Sequence, residues 1–340
     1  MAYSTINKST LYQNQVLWSG NDTARNITGV GFQPDMTWIK GRNIDVPNNV
    51  FDVVRGATKH INTSATTQES TQVQSLTSWN SDGFALGTHA DYNGNSRTYV
   101  GWNWKANGAG SANTDGSISS TVSANTTSGF SIVSYTGTGA TATVGHGLGV
   151  VPKMIIAKNL ATTNAWIVYH EALGNTSYLM LNTTDITQVD SDWNNTSPTS
   201  TVFNLGTQGN ANGSTNAIIA YCFADVAGYS KFGSYTGNGN IDGTFVYTGF
   251  KPQFVMVKKT SATNNWVMMD NKRDPFNMMT EYLLANDIGV EGTGLNFDCV
   301  SNGFKLKSNS GGTNTAGGTY IYMAFGQPII SNSGVCATAR

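Results

Sequence analysis

The chain has 340 residues and a formal net charge of -1, with 11% charged and 11% aromatic residues. A near-neutral chain without a basic stripe lacks the concentrated positive surface that nucleic-acid binding needs. No apolar run reaches the ~18 residues of a membrane-crossing helix, so no membrane insertion is expected. The aromatics argue against disorder. Thr, Val, Tyr, Phe and Trp favour strands, and Gly, Asn and Ser favour turns, so the expected class is all-β.

The N-terminus from Met1 to Lys8 has no apolar core of the kind a Sec-type signal peptide carries. An aromatic-turn element follows, Trp18-Ser19-Gly20. Next comes Gly31-Phe32-Gln33-Pro34, with Lys40 six residues beyond the proline and Met36, Trp38 and Ile39 between them. Proline at the entrance of a buried strand removes no ladder hydrogen bond. A second strand reads Phe51-Asp52-Val53-Val54, and Gly83-Phe84-Ala85-Leu86 follows with apolar side chains on one face. The turn Asn93-Gly94 then leads to the aromatic strand Tyr99-Val100-Gly101-Trp102-Asn103-Trp104. Asn-Gly suggests a hairpin turn that accepts positive φ.

The same series recurs twice. Tyr135-Thr136-Gly137 leads to Gly149-Val150-Val151-Pro152 with Lys158, then Trp166-Ile167-Val168-Tyr169, then Val202-Phe203-Asn204-Leu205, and closes on Ile218 to Phe223. Tyr235-Thr236-Gly237 leads to Gly249-Phe250-Lys251-Pro252 with Lys258, then Trp266-Val267-Met268-Met269, then Gly303-Phe304-Lys305-Leu306, and closes on Tyr320 to Phe325. In these two copies the Trp lies eight residues beyond the Lys, whereas the first copy reads as having a longer loop from Gly41 to Asn49. A further strand, Tyr178 to Asn182 and Tyr282 to Asn286, lacks a clear counterpart in the first copy.

This pattern predicts three tandem antiparallel β-sandwich domains of the jelly-roll, lectin-like kind. The expected boundaries are residues 1–106, a Gly/Ser/Asn/Thr-rich linker at 107–127, then 128–226, 227–328 and a tail at 329–340. Ile118 and Val122 could form a short edge strand within the linker. The last two domains abut and should pack rigidly. The divergent first one is a candidate docking domain.

Chemistry is sparse. The four histidines, His60, His89, His146 and His170, fall in no metal-binding frame. Cys222, Cys299 and Cys336 are too few and too far apart to staple three domains, and read as buried apolar residues or free thiols. Asp52 and Asp270 occupy corresponding strand ends, where the middle copy has His170. A glycosidase pair would need two carboxylates, and none recurs in all copies. We therefore expect no catalytic residue, no metal and no cofactor. Most tryptophans sit at repeating strand positions, as core residues do. Trp79 and Trp193 read as lying in loops beside Asn and Asp, and are the candidate glycan-contact aromatics.

Three stretches, Gly129 to Gly137, Val144 to Gly149 and Gly228 to Gly237, resemble a family of virion structural proteins of tailed phages, especially those of aquatic bacteria. The opening Tyr3 to Ser9 and the closing Ala337 to Arg340 share the likeness. The resemblance implies a non-enzymatic virion protein with concanavalin-type sandwich domains, tail-fibre-like or receptor-binding. Its expected partners are other tail or capsid proteins and a host cell-surface glycan. Fibres of the family imply a homo-oligomer, with a trimer as the expected form. Capsid decoration or tail assembly is the alternative, because no coiled-coil or triple-β-helix shaft is visible.

Overall fold

A computed structural model describes residues 4–330. Cys336, the closing motif at Ala337 to Arg340, most of the expected tail and part of the opening motif lie outside the described residues. The chain is all-β and its sheets are antiparallel, with single helical turns at Ala90–Asn93 and Gly209–Asn212. No helix among the described residues is long and apolar enough to cross a membrane.

Each repeat builds one large sheet and one small one. In the first, Gln13–Ser19, Thr98–Trp104, Met36–Gly41, Asn49–Asp52, Lys59–Asn62 and Ser70–Thr71 lie side by side in that order. In the second, the strands closest to the closing strand Ala217–Phe223 are Phe130–Thr136 and Met154–Asn159. In the third, Ser230–Thr236 and Phe250–Lys259 flank the closing strand Thr319–Pro328. The small sheets pair Arg25–Thr28, Gly83–Leu86 and Leu76–Asn80; Ala142–Gly145 with Val202–Leu205; and Phe245–Tyr247, Gly303–Leu306 and Phe297–Val300.

The alternation of the closing strands explains how these parts join. Tyr99 belongs to a core of the first repeat alone; Ile218, Ala220 and Cys222 to that of the second; Tyr320, Tyr322 and Ala324 to that of the third. The intervening residues point the other way, into one cluster shared by all three: Val100, Trp102 and Trp104 with Ile219, Tyr221 and Phe223 and with Ile321, Met323 and Phe325. The strands after the Pro turns divide likewise. Met154 and Ile156 face the shared cluster, while Ile155 and Ala157 face the repeat's own. A sheet buried on both faces reads as a continuous apolar run, which is what these strands show.

At the centre, Trp104, Phe223 and Phe325 meet edge to face. Their centroids are 6.5 Å apart for Trp104–Phe223, 5.9 Å for Trp104–Phe325 and 6.1 Å for Phe223–Phe325. These are the corresponding residues of the three closing strands, so the repeats surround a pseudo-threefold axis.

Several expectations are corrected. The segment 107–127 is no free linker. Ser111–Asn113 and Ser120–Asn125 extend the second repeat's sheet, with Val122 paired to Val133 and buried. The first repeat has no longer loop: Val50 pairs with Ile61 as Val168 pairs with Leu179 and Met268 with Leu283. That register puts Asn48 at the position of Trp166 and Trp266, eight residues beyond Lys40. It also supplies the missing strand, Lys59–Asn62. The first repeat is also not packed apart from the other two, because Trp38, Trp102 and Trp104 belong to the common cluster.

The Asn-Gly turns also differ from the hairpin expectation, since Gly94 and Gly213 have φ of -65° and -57°. What the repeats need there is the asparagine. Asn93 Nδ2 donates to Gly87 O at 2.9 Å, Asn212 Nδ2 to Gly206 O at 2.7 Å and Asn314 Nδ2 to Ser308 O at 2.9 Å. The partner glycines of the aromatic-turn elements allow close approach. A Cβ at Gly20, Gly137 or Gly237 would lie 2.2 to 2.4 Å from a backbone oxygen of that turn.

Truncating Trp104 to Ala should cost about 3–5 kcal/mol, read from urea unfolding. Unfolding should be a single transition by far-ultraviolet dichroism and tryptophan fluorescence alike; separate transitions for the repeats would contradict the shared core. Residues 128–226 expressed alone should give no folded, protease-resistant product.

Candidate functional site

Three sets of repeating polar positions bond across the joints between repeats. Asn48 Nδ2 donates to Leu284 O at 3.0 Å, Trp166 Nε1 to Asn62 O at 2.8 Å and Trp266 Nε1 to Met180 O at 2.9 Å. Each donor reaches the same position of the preceding repeat, so the bonds close a ring. The repeat lysines add a second ring: Lys40 Nζ donates to Ile288 O at 2.5 Å, Lys158 Nζ to Thr66 O at 3.0 Å and Lys258 Nζ to Thr184 O at 3.2 Å. Burial lowers each of the three lysines to about 8. A lysine so depressed can be a nucleophile, but these are wholly buried and their ammonium groups are bound to carbonyls.

The carboxylates weighed as a glycosidase pair belong to a third ring. Asp52 Oδ2 accepts from Arg55 Nε at 2.5 Å and from Tyr221 Oη of the second repeat at 2.7 Å. Asp270 Oδ2 accepts from Arg273 Nε at 2.6 Å and from Trp102 Nε1 of the first repeat at 2.9 Å. At the remaining joint, Met323 takes the place of Trp102 and Tyr221 and has no proton to donate; there His170 replaces the aspartate. His170 Nε2 lies 3.3 Å from Tyr322 O. The acid appears only where the neighbouring repeat supplies a donor, as the cost of an unpaired buried charge requires. Both aspartates are fully buried, so neither faces a substrate.

The sequence-chosen aromatics fare differently from expectation. Trp193 is 1% exposed and packs on Tyr169 at 5.8 Å between centroids, so it offers no face to a sugar. Trp79 lies on the strand Leu76–Asn80, half-buried against the first repeat's own core, with its Nε1 buried and unpartnered. It is not a loop aromatic either.

A polar cleft of about 310 Å³ opens in the first repeat, between the strands Lys59–Asn62 and Ser70–Thr71 and the helical turn Ala90–Asn93. Its wall includes Asn49, His60, Asn62, Gln68, Asp91 and Tyr92. Tyr92 is 2% exposed, its ring is held against Phe51 at 5.5 Å, and its hydroxyl has no hydrogen-bond partner among the described residues. Burial, assisted by the nearby Asp91, raises its phenol pKa far above the ordinary value. His60 Nε2 is 3.0 Å from Ser70 Oγ. Burial, together with Arg55 and His89, lowers its pKa and keeps the ring neutral at pH 7.

A serine–histidine contact prompts comparison with a hydrolase dyad. Here His60 Nδ1 is buried without a partner, so no carboxylate orients the ring or stabilises an imidazolium. The cleft can bind but lacks the parts for acyl transfer. Glu69, also in the wall, is held by Arg55 at 3.2 Å and Lys59 at 3.6 Å. Among the described residues, no group of three or more His, Cys, Asp or Glu side chains could hold a metal ion. Cys222 and Cys299 are buried free thiols, with burial raising both pKa values.

One family model, described as Domain of unknown function (DUF7483), matches residues 8–328. The chain belongs to that family. The DUF7483 match spans all three repeats as one unit, as their common core would lead one to expect. No curated protein and no solved structure matches the chain.

Sequence reasoning missed the cleft because it searched for what recurs. Tyr92 corresponds to Ala211 and Thr313, and Asp91 to Asn210 and Gly312, counting back from the repeated Asn93, Asn212 and Asn314. The departures from the repeat carried the signal.

Two outcomes follow from the joints. Asp52→Ala should destabilise by about 3–5 kcal/mol, because it removes the fully buried partner of Arg55 Nε and leaves the Tyr221 hydroxyl without its acceptor; chemical denaturation reads this. Burial lowers His170 to about 4, well below its unfolded value. Its contribution is therefore fully present above about pH 6.5, and is lost as pH falls from there towards 4, on the order of 3 kcal/mol in all. Asp192, raised to about 6 by burial, works in the opposite sense. The difference between wild type and His170→Gln, followed by denaturation from pH 7 to 4, isolates the histidine.

Proposed function

We propose that the protein is a non-enzymatic virion component: a tail-fibre-like or receptor-binding subunit with three lectin-like jelly-roll sandwiches fused in one chain. The observation that carries this reading is the closed ring of joints. The recurrent polar side chains, the three lysines, Asn48 with Trp166 and Trp266, and Asp52 with Asp270, are all engaged within the molecule. These repeated sets serve assembly, and none of them is left to act on a substrate. The low charge and the Thr- and Asn-rich composition suit hydrogen bonding to host glycans.

The threefold arrangement that separate subunits would otherwise supply is present within one chain. The ring could therefore sit on a threefold site of a particle as a monomer. Capsid decoration or tail assembly is the second reading. It is favoured by the absence, among the described residues, of any long helix or shaft-like segment.

The purified protein should elute as a species of about 36.2 kDa by light scattering. It should also block adsorption of particles that carry it. A stable trimer of chains would refute the intramolecular ring as the complete assembly. Failure to block, with the protein located on the capsid shell by immuno-electron microscopy, would replace attachment by decoration.

A further inference from the structure

We propose that the cleft of the first repeat is a binding site for a neutral saccharide. The inference deepens the attachment reading by naming its contact site and ligand class.

The first argument is an unmet group. The Tyr92 ring is almost entirely buried, its side chain lines the cleft, and its hydroxyl, with no hydrogen bond among the described residues, is left to face the cleft. The second and third repeats have Ala211 and Thr313 in its place. A tyrosine there is therefore not required by the scaffold, which is anchored one residue later by Asn93.

The second argument is the chemistry of the wall. Asn49, Asn62 and Gln68 each carry an amide that both donates and accepts. Asp91 offers carboxylate acceptors, and His89 Nδ1, 3.9 Å from them, is engaged in accepting from the Asp91 backbone N–H. Tyr92 can donate or accept. Vicinal sugar hydroxyls need this mixture of donors and acceptors around one small volume. The cleft, about 310 Å³, is at the small end of ligand pockets and suits a sugar ring.

The same wall disfavours other ligands. No Lys or Arg lines it, so an anion finds no counter-charge. Glu69 is already neutralised by Arg55 and Lys59, which leaves Asp91 alone and too little charge for a divalent cation. A nucleobase needs an open aromatic face, and the ring of Tyr92 is enclosed by Phe51, His60 and His89. His60, kept neutral by its burial, adds an edge without adding charge.

The test uses the full-length protein and a panel of free sugars: glucose, galactose, mannose, rhamnose and N-acetylglucosamine. Saturation-transfer NMR should show binding of at least one. Asp91→Asn and Tyr92→Phe should each weaken it tenfold or more, without lowering the thermal midpoint. Tyr92→Phe keeps the buried ring, so loss of binding with an unchanged midpoint separates recognition from folding. Absence of transfer from every sugar overturns the site, as does undiminished binding in both variants. Adsorption assays separate this from the attachment reading. Sugar binding by a wild-type protein that fails to block adsorption supports the cleft and removes attachment. Blocking that survives both substitutions overturns the cleft as the attachment contact and leaves attachment standing.

Discussion

The structure depends on three aromatic rings meeting at one point. Trp104, Phe223 and Phe325 are contributed by three segments separated by more than a hundred residues each, and each ring packs its edge on another's face. Around them the closing strands lay down layers of Trp102, Tyr221 and Met323, then Val100, Ile219 and Ile321. Water is excluded from this core only when all three sheets are in place. Folding of one repeat is therefore coupled to the others through the area each would leave exposed. The chain before the first strand helps close it: Ile6 is buried in the same cluster, and Ser9 Oγ donates to Gln253 Oε1 at 3.0 Å.

Much of this was legible in the sequence. The proline, the lysine six residues later and the aromatic closing strand mark all three units, because each is required by a local contact that recurs. The pairing of the sheets about an axis was not legible. The alternation of Trp102 and Trp104 with Gly101 and Asn103 shows that a strand has two faces. It cannot show that the outward face meets another repeat instead of solvent. Continuous runs such as Met154 to Ala157 carried that hint, since both faces had to be dry.

The register of the first repeat was obscured for a physical reason. Asn48 does with a short amide what Trp166 and Trp266 do with an indole: all three donate to one carbonyl of a neighbour. Residue identity changed while the hydrogen bond persisted, so matching by side-chain type pointed to a false insertion. The first-repeat cleft escaped for the opposite reason. Asp91 and Tyr92 depart from the repeat, and a search for shared features passes over them. Trp193 and Trp79 looked exposed because Asn and Asp flank them, but neighbours in sequence say little about which sheet closes over a ring.

The unlike joints have an evolutionary consequence. In an assembly of three identical subunits, any substitution near the axis is made three times at once and must suit three identical surroundings. A fused chain is free of that constraint. Tyr221 can meet Asp52, Trp102 can meet Asp270, and Met323 can leave His170 to find a backbone carbonyl. Each contact can drift with its own partner while the other two hold the fold. The same freedom lets one repeat carry Asp91 and Tyr92 without imposing them on its siblings. With the three units in one chain, a near-symmetric scaffold becomes one on which specialisation can occur a third at a time.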